Sequence, residues 1–213
     1  MKSMIKAAVA IVLLFSVAAP LAAQQERNLK LSLFYSQVEV QGETSFSEVP
    51  AMDLAFEDGD GYGASVNMFY GNWFSVEAAV FNVRSDASIA LDAPFGIDLG
   101  TMSLTPISLG GQLHVLGDSR FDPYIGAGGA YILGGDLLSQ DSEAGGIGRI
   151  ELESQATYYV NAGVALRLTE GFGLVVDARQ YQYEPSSQSS TTGVERDLEI
   201  NPRIYSAGVR LRF

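Results

Sequence analysis

Apolar and polar residues alternate with a period of two along eight segments of this chain, and this alternation most constrains its fold. The pattern reaches the last residue, where the apolar positions alternate with small or basic ones: Tyr205, Ala207, Val209, Leu211 and Phe213. A period of two is that of a β-strand. We therefore predict eight strands, at about residues 29–40, 61–70, 73–81, 104–116, 123–133, 155–168, 172–181 and 201–213.

The connections between these strands alternate strictly in length. The predicted short ones are residues 71–72, about 117–122, and 169–171. The predicted long ones are about residues 41–60, 85–102, 134–153 and 184–199. An antiparallel sheet with every short turn at one end and every long loop at the other has this pattern, which is typical of outer-membrane barrels.

The chemistry of the two sheet faces distinguishes among the possible β folds. A β-sandwich or a lipocalin-like barrel exposes a polar outer face, whereas here the apolar face is rich in Tyr and Phe. The opposite face is small or charged and would fill a dry core poorly. The mean hydropathy of +0.13 is also high for an acidic secreted domain. We predict an all-β fold, a closed eight-stranded antiparallel transmembrane β-barrel with lipid outside and a polar lumen.

The first residues have the organisation of a cleavable signal peptide. A basic start with Lys2 and Lys6 precedes an apolar run, and the small residues Ala22 and Ala23 follow. The run is short for a membrane-spanning anchor, which is the alternative interpretation. We expect a signal peptide at residues 1–23, a barrel domain at residues 24–213, and export to the outer membrane of a Gram-negative type cell.

The composition excludes several classes of site. The chain has no Cys, so it forms no disulfide or thiolate site. Its formal net charge is −12 and it has no basic cluster, so we expect no nucleic-acid partner. We also expect no cofactor. The acidic stretch around Asp58 and Asp60 lacks the complete pattern of a calcium loop, so we expect no metal site.

Two stretches resemble known outer-membrane barrels. The segment FDPYIGAGGAY, residues 121–131, is similar to a strand of the OmpW family and of OmpA-like barrel domains. The segment INPRIYSAGVRLRF, residues 200–213, is similar to the last strand of the OmpW family. The chain thus resembles the small eight-stranded barrels of the OmpA, OmpX and OmpW type, and the N-terminal half departs from the OmpW pattern. The resemblance implies a C-terminal signal that the barrel-assembly machinery reads: Tyr205, Val209, Leu211 and Phe213.

Six charged residues fall on the predicted inward face. Buried charges need partners, so we expect a lumen charge network. Two interpretations remain open: a salt-bridged structural plug, or a gated polar path for ions and small solutes. The six residues are Glu77, Arg167, Asp177, Arg179, Arg210 and Arg212.

His114 is the only histidine and therefore the only candidate imidazole base. Lipid-deacylating barrels would want a Ser two residues later, where this chain has Leu116. The spacing reveals no oriented partner for the ring. We therefore expect no enzyme activity.

The predicted function is that of a structural barrel or a narrow porin-like channel for small solutes. The OmpW resemblance implies hydrophobic solutes, and apolar residues of the first long connection would line their entrance: Phe46, Val49, Met52, Leu54 and Phe56. The alternatives are a surface adhesion barrel acting through its long loops and, less favoured, a lipid-modifying enzyme. The expected partners are outer-membrane lipid and lipopolysaccharide, the barrel-assembly machinery and periplasmic chaperones, and the chain is expected to be a monomer.

Overall fold

The computed structural model describes most of the chain beyond the predicted signal peptide, which itself lies outside the described residues. The described ranges are 29–41, 44–45, 52–56, 58–91, 96–117, 119–134, 136–137, 150–152, 154–183, 186–189, 195–197 and 201–213. Nearly all of these residues lie in β-strands. No helix in these ranges is long and apolar enough to cross a membrane.

The described residues form fourteen strands, and eight of them are long. The long strands are β1 (Leu29–Gln41), β4 (Gly59–Tyr70), β5 (Phe74–Leu91), β6 (Gly96–His114), β7 (Phe121–Leu133), β10 (Gln155–Arg167), β11 (Phe172–Tyr181) and β14 (Asn201–Arg212). The short strands are β2 (Thr44–Ser45), β3 (Met52–Phe56), β8 (Asp136–Leu137), β9 (Ile150–Leu152), β12 (Ser186–Ser189) and β13 (Glu195–Asp197).

The eight long strands form one closed antiparallel ring. Its order is β1–β4–β5–β6–β7–β10–β11–β14, and β14 returns to pair with β1. This closing pair runs from Lys30 opposite Arg212 to Gln41 opposite Asn201. The backbone N–H of Phe213 adds a bond to the carbonyl of Leu29. The closed eight-stranded barrel is confirmed, and its closure leaves no free edge along the wall.

The outer surface of the barrel is apolar and carries aromatic residues at both ends. Between the ends lie exposed aliphatic side chains such as Leu109 and Val176, which are 62% and 60% exposed. Tyrosines mark the end with the long connections: Tyr35, Tyr62, Tyr131, Tyr158 and Tyr205. Other aromatics mark the short-turn end: Tyr70, Trp73, Phe121, Phe172 and Phe213. Two aromatic girdles around an apolar band are the surface that a bilayer requires.

The lumen differs from the uniformly polar interior that we predicted. Toward the short turns it is polar, with the buried residues Ser75, Asn67 and Gln112. Toward the long connections six large inward side chains among the described residues are apolar and at most 2% exposed: Val38, Val83, Met102, Leu104, Ile132 and Ile204. The prediction of a polar lumen was wrong for this half: Val38, Leu104, Ile132 and Ile204 lie within the predicted strands, but the inward face was judged from its small and charged residues.

The long connections contain more strand than we predicted. Residues 85–102 were expected to be a loop, but β5 continues to Leu91 and β6 begins at Gly96. The strand β3 adds to the edge of β5, and β8, β9, β12 and β13 form a separate four-stranded sheet. Pairing of backbone groups continues beyond the apolar band, where nothing demands an alternating sequence. The period of two therefore fades before the strands end.

A charge on the outward face should test the assignment of faces. Replacing Val176 with Arg should lower the free energy of unfolding by about 2–4 kcal/mol, because the residue lies in the middle of the apolar band. The matched control is Val115→Arg, beside a short turn, where the cost should be only about 0–1 kcal/mol. Urea unfolding of the protein refolded into vesicles measures both. Equal costs at the two positions would contradict the assignment.

Candidate functional site in the barrel lumen

A buried ion cluster occupies the middle of the lumen. The guanidinium of Arg179 donates from Nη2 to Oε1 of Glu77 at 2.6 Å and from Nε to Oδ1 of Asp177 at 2.7 Å. The other carboxylate oxygen of Asp177 accepts from the Tyr124 hydroxyl and from Nδ2 of Asn161, both at 2.8 Å. All five residues are at most 5% exposed. We call these residues the central layer.

The central layer crosses the full width of the barrel. Glu77 lies on β5 and Arg179 on β11, and four steps around the eight-membered ring separate these strands in either direction. The ion pair therefore joins opposite walls. An eight-stranded barrel is only wide enough to be filled by side chains, and this pair spans the width of the lumen.

Aromatic rings enclose the arginine on its apolar side. The Cζ atom of Arg179 lies 4.9 Å from the ring centroid of Phe81 and 5.4 Å from that of Tyr159. Cations are attracted to the faces of such rings, most strongly where water is excluded. The rings separate the central layer from the apolar half of the lumen.

Glycines on the inward face make room for the large side chains. A Cβ at Gly163 would collide with the hydroxyl of Tyr124, and one at Gly63 would collide with the ring of Phe81. Because Gly163 has no side chain, the hydroxyl of Tyr124 can reach Asp177 on the inward face.

A second polar cluster lies nearer the short turns and centres on His114. Its Nδ1 is 2.9 Å from Oδ2 of Asp122, and its Nε2 is 3.0 Å from Oγ of Ser75. Because an ionised carboxylate only accepts, Nδ1 donates to Asp122, which leaves Nε2 facing the Ser75 hydroxyl. The ring also packs against Phe69, with centroids 4.6 Å apart. Our inference that His114 has no oriented partner was therefore wrong.

The reason for this error is the boundary of a turn. We placed Asp122 in the connection at about residues 117–122, whereas β7 begins at Phe121 and turns Asp122 inward. The register pairs His114 with Tyr124, so Asp122 lies two residues beyond on the same face. An earlier start for this strand would have brought the two residues together in the sequence analysis.

The six charges predicted for the lumen lie at two levels of the barrel. Glu77, Asp177 and Arg179 meet in the central layer. Arg210 lies nearer the short turns, is 5% exposed, and donates from Nε to the Ser32 hydroxyl at 2.9 Å. Arg167 and Arg212 are partly exposed and line a cleft at the short-turn end together with Arg210.

The residues of the predicted C-terminal assembly signal all lie on the outward face of β14. Tyr205 and Phe213 are 45% and 56% exposed and belong to the two aromatic girdles, Phe213 directly after the strand ends. Val209 and Leu211 are partly exposed between them. Their reading by the assembly machinery stays a prediction.

Two other predicted features are only partly within the described ranges. Of the acidic stretch, Asp58 and Asp60 are exposed. The side chains proposed to line an apolar entrance, at Phe46, Val49 and their neighbours, lie outside the described residues. In the part of the chain that the structure describes, no three His, Asp or Glu residues are grouped to hold a metal ion.

The central layer generates a stability test. Replacing Arg179 with Met should cost about 3–5 kcal/mol, because two buried carboxylates lose their counter-ion. A triple variant that also carries Glu77→Gln and Asp177→Asn should recover most of this loss, since no uncompensated charge then remains. The control is Arg120→Met at an exposed turn position, and urea unfolding in vesicles measures all three. A triple variant no more stable than Arg179→Met would contradict the role of the ion cluster.

Comparisons with known proteins agree with this architecture. The family described as the outer membrane protein beta-barrel domain matches residues 7–213. A putative outer membrane protein of Rickettsia prowazekii, RP075, is 24% identical over 205 residues, which are 87% of this chain and 79% of that protein.

Solved structures share the fold at low sequence identity. OprG from Pseudomonas aeruginosa superposes with a TM-score of 0.72 at 16% identity, covering 88% of this chain and 96% of that one. AlkL, solved in lipid bilayers, gives a TM-score of 0.64 at 18% identity, covering 89% and 91%. The outward apolar band, the closed ring and the matched family lead to one conclusion: this chain belongs to the outer membrane protein beta-barrel domain family and is a protein of the outer membrane.

Proposed function

We propose that this barrel takes small apolar solutes into the outer half of its lumen and conducts no ions along its axis. The change of lining within the lumen is the observation that carries the proposal. Residues toward the long connections, such as Met102 and Ile132, are apolar, and the central layer lies below them. Apolar surface favours apolar solutes, while the Arg179–Glu77 pair opposes axial passage of hydrated ones.

The orientation of the barrel makes this half face the cell exterior. Short turns of outer-membrane barrels lie in the periplasm and long connections outside. A solute from the exterior would therefore meet the apolar half first. The chain also resembles OmpW-type barrels, for which passage of small hydrophobic molecules is expected. This resemblance supports uptake of apolar solutes from the exterior.

A route out of the lumen would have to avoid the central layer. At that level the outer wall carries a groove of about 270 Å³, lined in part by Ala162 and Ala178 and flanked by Val160 and Tyr205. The strands around it remain paired, with Ala162 opposite Ala178 and Ala178 opposite Tyr205. The wall is thinnest where the outward side chains are smallest, so we propose that apolar solutes leave sideways into the membrane there.

Transport measurements in vesicles test this proposal. With lipopolysaccharide in the outer leaflet, the protein should raise uptake of a small apolar solute several-fold and leave uptake of a small sugar unchanged. In planar bilayers it should give no steady ion conductance. Ala178→Trp should lower the apolar uptake by filling the groove, whereas Ala207→Trp, on the same face outside the groove, should not. Ion conductance, or sugar uptake equal to that of the apolar solute, would contradict the proposal.

A surface adhesion role is the second candidate, and the length of one hairpin favours it. The strands β5 and β6 have 18 and 19 residues. At about 3.3 Å per residue, each strand is roughly 60 Å long. Even a tilted strand needs far less than this to cross an apolar band of about 25 Å. This hairpin therefore projects beyond the membrane. Loss of surface binding on shortening residues 88–99, with the barrel intact, would favour adhesion over solute uptake.

The His114 cluster raises an enzyme as a third candidate, which we propose is not the function. Ser75, His114 and Asp122 have the connectivity of an acyl-transfer triad. However, Ser75 is fully buried, and a nucleophile has to reach its substrate. Its hydroxyl also lies 3.4 Å from Nδ2 of Asn67, within the packed lumen.

Active-site labelling distinguishes an enzyme from a barrel that has no catalytic activity. A fluorophosphonate, which modifies activated serines, should not label the folded protein, because Ser75 is out of reach. Hydrolysis of a short-chain ester should also be at background and unchanged in Ser75→Ala. Labelling of the wild-type protein that disappears in Ser75→Ala would instead establish a working triad.

A further inference from the structure

A cleft of about 40 Å³ opens at the short-turn end of the barrel. Residues of the turns around Gly117 and Glu170 border it, and its inner wall carries charged side chains from β1, β7, β10 and β14. We propose that this cleft is a binding site for a phosphoryl-type oxyanion on the periplasmic side. The proposal is independent of solute uptake through the opposite half of the lumen.

Positive charge predominates in the cleft although the whole chain has a net charge of −12. Its lining includes four cationic residues and two acidic ones, Asp122 and Glu170. Asp122 is engaged within the barrel by His114 at 2.9 Å and Lys30 at 4.0 Å. The cleft thus keeps an excess of two positive charges, which suits an anion. The four cationic residues are Lys30, Arg167, Arg210 and Arg212.

Arg210 is the residue that most directly indicates a ligand. Its side chain is 5% exposed, and its Nε is held by the Ser32 hydroxyl at 2.9 Å. The Tyr124 ring, 5.6 Å from Cζ, supports the guanidinium. Both terminal nitrogens, Nη1 and Nη2, are buried and have no hydrogen-bond partner among the residues that the structure describes. A buried guanidinium fork is costly unless its donors are satisfied.

An oxyanion would satisfy these two donors together. The two terminal nitrogens of an arginine match two oxygens of one phosphoryl group, which makes such pairs both strong and oriented. Glycines at positions 117 and 173 border the cleft without side chains that would fill it. The small volume admits the charged group itself and leaves any attached chain outside.

Two sources supply this chemistry at the periplasmic face. One is dissolved phosphate, and the other is the headgroup of an anionic phospholipid in the inner leaflet. The cleft is also bordered by Leu166, Phe172 and Leu174, which lie on the apolar outer surface. A lipid in the adjoining leaflet is therefore as close to the cleft as the periplasmic solution is.

The first measurement uses inorganic phosphate. Calorimetric titration of the refolded full chain in a nonionic detergent, at constant ionic strength, should give one site. Arg210→Gln should weaken binding at least about tenfold, because it removes the charged fork. The matched control is Arg203→Gln, on the outward face, where Nε of the arginine donates to Gln180; its binding should equal that of the wild type. Phosphate affinity unchanged in Arg210→Gln would overturn the proposal.

The second measurement uses lipid. Native mass spectrometry after reconstitution compares retention of phosphatidylglycerol with that of phosphatidylcholine of the same acyl length. Selective retention of phosphatidylglycerol that Arg210→Gln abolishes would support the site and identify lipid as its source. Phosphate binding that needs Arg210, with equal retention of the two lipids, would support it with free phosphate as the source. Binding of neither probe by the wild-type protein would overturn it.

Folding has to be checked because Arg210 is buried. Heat-dependent migration on electrophoresis reports whether each variant forms the barrel. If Arg210→Gln does not, Arg167→Gln takes its place, since Arg167 lines the same cleft and is only partly buried. It should lower the affinity for phosphate several-fold. An unchanged affinity in the folded Arg167→Gln protein would then count against the site.

Discussion

The ion pair between Arg179 and Glu77 is the interaction on which the rest of the lumen depends. It joins opposite walls of the ring, and Asp177 holds the same guanidinium from the side. Tyr124 and Asn161 complete the hydrogen bonds of Asp177. These bonds tie together β5, β7, β10 and β11, so the barrel is braced across its width as well as along its wall. In the proposed function these bonds oppose axial passage, so a solute would leave sideways.

Most of the barrel could be predicted from the sequence because a bilayer imposes a strict rule on its strands. A lipid-facing residue must be apolar, and its neighbours in the sequence point into the lumen. The sequence alone therefore assigns Val176 to the outward face and Asp177 to the inward face. The rule applies only within the apolar band. Beyond it β5 continues to Leu91 and β6 begins at Gly96, with their backbones paired. Outside the bilayer no rule of alternation applies, so the sequence pattern does not separate a projecting hairpin from a loop.

The site was less predictable because its partners are set by register rather than by alternation. Alternation assigned Glu77 and Arg179 to the interior, but it carries no information on which inward residues share a level. The pairing of His114 with Asp122 needed the exact start of β7, and that of His114 with Ser75 needed the offset between β5 and β6. An error of two residues at the start of β7 was enough to hide the contact with Asp122. Register errors therefore affect a lumen site much more than they affect the fold.

The three charges of the central layer are hard to explain by stability alone. Removing charges from water is costly, and an apolar filling of the same volume is often at least as stable as a buried ion pair. This chain already uses such a filling in the other half of its lumen, at Met102 and Ile132. An apolar layer at the level of Arg179 would extend that path toward the periplasm. The charges instead bound that half, because displacing a satisfied guanidinium offers an apolar solute no gain. Under the proposed function, an apolar solute would have to displace part of this filling, and the central layer would set how far it could go.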